Sequence, residues 1–250
     1  MATRLLILMY ASASYTIFVA SILYALGFFL NSIVPKSIDV GGMSDFGGAV
    51  VVDLSLLGIF AIQHSIMARS VFKHWWANNF PLACQRSTYV LVSSLVLLLL
   101  FWQWRPIPVV LWRLDGISGS LVDSLYWAAW LLALASTCMI DHFELFGLRQ
   151  AFFALRETEP ADQVFRAPLL YRFVRHPLML SLLLVFWATT EMTAGHLLFA
   201  VTSTLYVIVG VKLEECDLIA QFGSTYRQYR QRVPMLAPRI FSRSHEGESR

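Results

Sequence analysis

Long apolar stretches separated by short polar ones run through this 250-residue chain. Four of them, at about 5–30, 46–68, 87–104 and 121–140, are each long enough to cross roughly 30 Å of hydrocarbon as a helix. A fifth, at 178–213, is too long for one crossing. Thr189, Thr190, Glu191, Thr193 and Gly195 interrupt it with polar and small residues. This pattern predicts a helical hairpin that leaves and returns to one side, with Glu191 near its tip. The expected fold is therefore all-α and integral to a membrane: four transmembrane helices followed by a C-terminal helical hairpin.

Composition agrees. Apolar residues make up 57% of the chain, charged residues only 14%, and mean hydropathy is +0.61; soluble domains carry nearer a quarter charged residues. The net charge of +3 is too small to argue for nucleic acid, but its placement is informative. With the N-terminus in the cytoplasm, sixteen of the nineteen basic residues fall on the cytoplasmic side and only Lys36, Arg105 and Arg113 fall outside. That is the positive-inside pattern of a multi-pass protein of the bacterial inner membrane with both termini cytoplasmic. Ala11-Ser12-Ala13 resembles a signal-peptide cleavage site, yet the apolar run continues past it to Leu30, so an uncleaved first helix is expected. Cys84, Cys138 and Cys216 show no CxxC or His/Cys ligand spacing, which predicts neither a disulfide framework nor a metal site. One domain is expected over 1–250, with helices in 1–143, a cofactor-binding and catalytic region in 144–240 and a disordered tail in 241–250.

Three polar regions then meet at the cytoplasmic face: the loop after the second helix, residues 141–177, and the C-terminal segment. In "YRFVRHPLML" (171–180), His176-Pro177 opens the hairpin, and proline suits the first turn of a helix. Free backbone N–H groups there, beside Arg172 and Arg175, suit a carboxylate or phosphate. The same arginines equally suit anchoring at lipid headgroups. In "KLEECDLIAQFGSTYRQYRQRVP" (212–234), Glu214 and Asp217 share a helical face, Gly223 stops the helix, and Ser224 begins a second short helix carrying Tyr226 and Tyr229. Carboxylates this close to a membrane boundary need partners. Those are either arginines, giving a structural network, or a ligand with hydroxyls and an amine. An anion site, carboxylates and aromatic faces together match the inventory of S-adenosylmethionine.

Arg175-His176-Pro177, Glu214-Glu215 with Asp217-Leu218, Phe222-Gly223 with Tyr226 and Tyr229, and Val233-Pro234 occur here in the order found in the isoprenylcysteine carboxyl methyltransferase family. The chain resembles that family of integral-membrane methyltransferases. More narrowly it resembles the bacterial methanethiol S-methyltransferases, through "VPKSID", "QHSIMAR", "RSTYVL", "FWQWRP" and "DHFELFGLRQ". The resemblance implies transfer of a methyl group from S-adenosylmethionine to methanethiol, giving dimethyl sulfide. It implicates Tyr171, Arg175, His176, Glu214, Glu215, Tyr226 and Tyr229 in cofactor binding. Met179 and Ser181 depart from the broader family, which has tyrosine and glycine at these places, and Cys216 stands where an arginine often follows the paired glutamates.

A thiol attacks as its thiolate, so a base is expected. His64 in "QHSIMAR" and His142, oriented by Asp141 or Glu144, are the candidates, and with His176 three histidines are expected to converge. His196, on the outward part of the hairpin, reads as structural. "FFAL" (152–155) between Arg149 and Arg156 predicts an amphipathic surface helix; as a lid it would bring Gln150 to the cofactor. "FWQWRP" reads as an interfacial aromatic belt. A small thiol would arrive through lipid or cytoplasm. Two other readings stay open: a methyltransferase for a larger thiol or a prenylcysteine carboxyl group, and a non-enzymatic NnrU-like membrane protein. A sterol reductase shares the C-terminal pattern but comes with many more spans.

Overall fold

The computed structural model describes residues 1–42, 44–158, 165 and 167–237. Arg166 of the basic loop and the expected disordered tail lie outside the described residues. Among the described residues, five helices are long and apolar enough to cross a membrane: α1 (Ala2–Phe29), α2 (Phe46–Ala68), α4 (Leu82–Gln103), α5 (Gly116–Ile140) and α9 (Ala194–Phe222). Between α2 and α4 lies a short helix, α3 (Ser70–Asn79), and after α5 come α6 (His142–Leu145) and α7 (Leu148–Arg156). The hairpin consists of α8 (Pro177–Trp187) and α9, and α10 (Ser224–Arg232) closes the described chain.

Local chemistry sets the ends of these elements. Asp45 accepts a hydrogen bond from the Gly48 amide at the start of α2, 2.7 Å away. Thr193 caps α9 by accepting from the His196 amide at 3.1 Å. Pro177 occupies the first turn of α8, as expected. Gly223 ends α9 at φ +58°, a conformation that costs glycine little.

The packing neighbours run α1–α4–α2–α9–α8–α5, and the Tyr126 hydroxyl on α5 donates to the Leu26 carbonyl on α1 at 2.7 Å. The distribution of residues is that of a protein in lipid. Leu6, Met9, Leu23, Val51, Ile62 and Leu131 are exposed, whereas Ser14, Ser21, Ser87, Ser94, Ser136 and Asp53 are buried. Small polar residues at helix contacts allow close approach where lipid removes any hydrophobic drive for helices to associate.

The hairpin turns at the opposite side from its ends. Its tip forms strand β2 (Glu191–Thr193), paired antiparallel with β1 (Val110–Arg113) from the α4–α5 connection, with Arg113 against Glu191. The short α8, roughly 16 Å long, is extended by residues 188–193, so both arms cover the depth of the bundle. Backbone groups in this non-helical stretch are paired: Leu114 N–H donates to Thr190, Ala194 N–H to Val109 and Gly195 N–H to Ile107. His196, fully buried, uses Nε2 on the Phe186 carbonyl at 2.9 Å, covering an end of α8 that the helix leaves unpaired. The aromatic stretch after α4 is not simply a belt. Trp102 is exposed, but Trp104 is fully buried against Phe28 and Phe199, its indole N–H donating to the Ile38 carbonyl at 3.0 Å.

Candidate active site

The two ends of the hairpin meet. Arg175 precedes α8, and Glu215 sits about two turns before the end of α9; Arg175 Nε donates to Glu215 Oε1 at 2.7 Å. His176 Nε2 lies 3.2 Å from the same oxygen, and its Nδ1 lies 3.6 Å from Glu214 Oε2. His176 and Glu215 are buried and only a tenth of the Arg175 side chain is exposed, whereas half of the Glu214 side chain is exposed. The paired glutamates thus divide: Glu215 faces inward to Arg175 and His176, and Glu214 opens outward.

Arg175 does more than pair with an acid. Its NH1 donates to the carbonyls of Arg230 at 2.8 Å and Val233 at 2.6 Å, and its amide donates to Pro234 at 2.9 Å. The His176 amide donates to Met235. The guanidinium is therefore engaged through Nε and NH1 in clasping the segment after α10 onto the start of α8, with its charge countered by Glu215. Tyr229 belongs to the same clasp, since its hydroxyl donates to the Tyr171 carbonyl at 2.5 Å. Tyr226 is buried among Phe165 and Tyr229, and its hydroxyl has no hydrogen-bond partner. Burial raises the hydroxyl pKa of Tyr171, with the Glu214 charge adding to it. Burial likewise raises Tyr226, with Glu215 adding, and brings Tyr229 up to about 12 despite the opposing pull of Arg175.

The expected convergence of three histidines is replaced by a more dispersed arrangement. His64 on α2 lies 2.6 Å through Nε2 from the Tyr89 hydroxyl of α4 and 3.3 Å through Nδ1 from Ser93. Its ring stacks on Phe60 and stands edge-on to Tyr206 of α9. Tyr206 stands just over two turns before Glu214 on α9, so the His64 pair faces the helix that carries the outward glutamate. The neighbouring Gln63 Oε1 is buried without a partner. His142 is held elsewhere, between α1 and α5: Nε2 is 2.8 Å from the Tyr15 hydroxyl and Nδ1 is 2.9 Å from Thr137 Oγ1. Thr137 already donates to Leu134, so it accepts from Nδ1–H, leaving the Nε2 lone pair to the Tyr15 hydroxyl. Burial lowers the His142 pKa, consistent with this neutral ring.

Asp141 does not bond to His142. It caps α6 by accepting from the Glu144 amide at 3.0 Å, pairs with Arg149, and adopts φ 142°, a strained value for a residue with a side chain. A hollow of about 400 Å³ lies against Cys138, Ile140, Asp141, His142 and Phe143, at the end of α5. Gln150, on α7, donates to the Glu144 carbonyl at 3.2 Å and keeps its buried Oε1 unpartnered. The expected amphipathic helix is present as α7; it packs on α1 and α4, with Ala151 fully buried.

Tyr89 and Tyr15, which hold the two histidines, escaped the sequence reading because tyrosines in apolar helices look like packing. The signal was there in spacing: Tyr89 follows Arg86 by three residues, placing a hydroxyl one turn from a cytoplasmic-end charge.

No family model and no solved structure matches the chain. Curated proteins do. Methanethiol S-methyltransferase 2 of Bradyrhizobium diazoefficiens is 63% identical over 243 residues, covering 97% of this chain and 94% of its own length. Methanethiol S-methyltransferase of Mycobacterium tuberculosis is 49% identical, covering 94% of this chain and 97% of its own. Methanethiol S-methyltransferase 1 of Bradyrhizobium diazoefficiens is 50% identical over 92% of this chain and 81% of its own length. Likeness of this degree, end to end, covers both the hairpin clasp and the helices around it, and the chain belongs to the methanethiol S-methyltransferase family.

Proposed function

We propose that this membrane protein methylates methanethiol to dimethyl sulfide, with S-adenosylmethionine as methyl donor bound where the hairpin ends meet. The observation that carries the reading is the 63% identity to a methanethiol S-methyltransferase over 97% of the chain. The residues present suit the donor: an outward carboxylate at Glu214, an unpartnered buried hydroxyl at Tyr226, and the Tyr171 ring lie around one clasp. When bound, S-adenosylmethionine supplies an electrophilic methyl group on a sulfonium.

In this reading Glu214 accepts hydrogen bonds from ribose hydroxyls or an ammonium, and His176 positions it from 3.6 Å. Tyr171 and Tyr226 line the site as neutral phenols, because burial raises both pKa values. Arg175, Glu215 and Tyr229 hold the walls together. Gln150 offers its free Oε1 from α7. The thiol proton passes to the Tyr89–His64 pair, held at Nε2, which stands 2.6 Å from the Tyr89 oxygen. His142, with Asp141 beside it, acts from the α1 side through Tyr15. Thiolate and sulfonium neutralise each other as the new bond forms, so a water-poor setting favours the transition state. Methanethiol and dimethyl sulfide are small and apolar and can cross lipid, while the polar donor comes from the cytoplasm of the bacterial cell. In this reading the clasp and both termini lie at the cytoplasmic face of the inner membrane, as the distribution of basic residues supports.

The test uses purified full-length protein: calorimetric titration with S-adenosylmethionine, then headspace detection of dimethyl sulfide after addition of methanethiol. Saturable binding and product formation are expected. Binding without dimethyl sulfide, but with methylation of a longer thiol or a prenylcysteine, would move the substrate assignment.

A further inference from the structure

Arg175 commits Nε and NH1 to the clasp and has Glu215 countering its charge, so an anionic group on the methyl donor is better met by other cations. Cations of that kind lie on a different part of the chain. Arg69, between α2 and α3, pairs with Asp217 of α9 at 3.1 Å. Lys73 follows it by one turn, its amide donating to the Arg69 carbonyl at 3.1 Å. The Gln85 side chain of α4 donates to the Lys73 carbonyl at 3.0 Å, tying α3 to the turn that carries Arg86. Lys73 and Arg86 form no ion pair among the described residues. The Gln85–Lys73 bond brings both to the same junction of α3 and α4. Partial burial and then the Arg86 charge pull the Lys73 amine below the ordinary lysine range, with Arg69 adding, while Asp217 and Glu214 pull it back. Two cations lacking a tight partner, at a junction that Arg69 ties to Asp217 one turn along α9 from the half-exposed Glu214, form a mouth of mixed charge. An amino acid group, carboxylate at one end and ammonium at the other, matches it.

We propose that Lys73 and Arg86, backed by Arg69, form the anion site that receives the carboxylate of the methyl donor, next to Glu214. This rests on the donor assignment made above. It gives α3 a purpose beyond packing, since none of its ten residues is buried. It also separates the two tasks that the His-Pro region would otherwise share, with Arg175 building the site and Lys73 with Arg86 reading the ligand.

The experiment compares two probes by calorimetry on the full-length protein: S-adenosylmethionine and its decarboxylated analogue. Lys73→Ala and Arg86→Ala are each expected to weaken S-adenosylmethionine binding about tenfold or more, the loss of one charge-assisted hydrogen bond. Both should leave the decarboxylated analogue within about twofold of wild type. Lys73→Arg should recover most of the loss. Arg172→Ala, in the short turn before His176, should change neither. Equal weakening of both probes, or a selective loss in Arg172→Ala alone, overturns the proposal. If wild type binds neither probe, the donor assignment falls and this site with it; if wild type binds both equally, only the carboxylate site falls.

Discussion

Arg175 Nε donates to Glu215 Oε1 at 2.7 Å with about nine-tenths of each side chain buried, and the same guanidinium donates to the carbonyls of Arg230 and Val233. One side chain thus joins the start of α8, the inner end of α9 and the chain after α10. Removing one member of a buried pair leaves the other charge without its partner, which costs about 3–5 kcal/mol. Glu215→Ala is expected to lower the melting temperature of the detergent-solubilised protein by about 10 °C. Glu215→Gln, which keeps an acceptor for Arg175, should fall between. An unchanged melting curve in both variants would show that the clasp does not hold the fold.

The phenols around this clasp give it an alkaline limit. Tyr229 titrates at about 12 in the folded protein, raised above an ordinary value of about 10. The folded state therefore holds its proton more tightly than the unfolded state. The resulting stability is fully present below pH of about 10 and is lost as pH rises through about 12. Tyr171 and Tyr226 shift the same way and add to the effect. Tyrosinate absorbance followed against pH should show these phenols ionising late and together with loss of structure. Tyr229→Phe should remove one late ionisation and shift the alkaline transition upward.

His64 and His142 make opposed predictions for catalysis. His64→Ala and Tyr89→Phe are each expected to reduce kcat about a hundredfold, the scale of general base catalysis, while the dissociation constant for S-adenosylmethionine stays within about twofold. Tyr15→Phe removes the hydroxyl on His142 Nε2 and should reproduce any effect of His142→Ala. A His64→Ala enzyme that turns over like wild type would remove the Tyr89–His64 pair from the mechanism. Its pH–rate profile separates the roles further, because loss of a base removes the acid limb, whereas a packing defect lowers the whole curve.

How far the sequence spoke for itself differs from element to element. The second apolar run ends where α2 ends, and Gly223 and Pro177 marked their helix boundaries, because length and backbone chemistry are local properties. α3 was not anticipated, although Val71, Phe72, Trp75 and Trp76 recur at helical spacing, because the run is short and none of it is buried. The β1–β2 ribbon was equally invisible, since four residues after α4 pair with three residues about eighty positions later. The motif residues around 175 and 214 were legible as a group, and their two ends do touch. Their division of labour was not, because it depends on which carbonyls the chain after α10 brings to Arg175. The same holds for Trp104, whose burial against Phe28 and Phe199 no composition rule distinguishes from an interfacial tryptophan.

Trp104 and Glu191 offer a contrast in what stabilises the outer end. Glu191 pairs with Arg113, but that arginine is more than half exposed, so Glu191→Ala should cost less than about 1 kcal/mol. Trp104→Ala removes a fully buried ring and its bond to Ile38, a change of about 3–5 kcal/mol. Thermal melting of the two variants side by side checks the ranking; similar shifts in both would contradict it.

Gly147 sets the docking of α7, and with it Gln150. It adopts φ +88°, and a Cβ added there would lie 2.6 Å from Ser87 Oγ and 2.7 Å from the Ser87 amide nitrogen. The hydroxyl could rotate away, but the amide belongs to α4 and cannot. Gly147→Ala therefore has to push α7 off α4 as well as adopt an unfavourable backbone angle. Ala151, fully buried one turn later, would be uncovered, and Arg149 would be drawn from Asp141. The spanning helices do not depend on this contact, so the bundle should persist while α7 loosens. Hydrogen exchange is expected to rise in 148–156 and to remain low in α4 and α9. Unchanged exchange in 148–156 would mean that α7 is held by its apolar face on α1 and not by the close approach at Gly147.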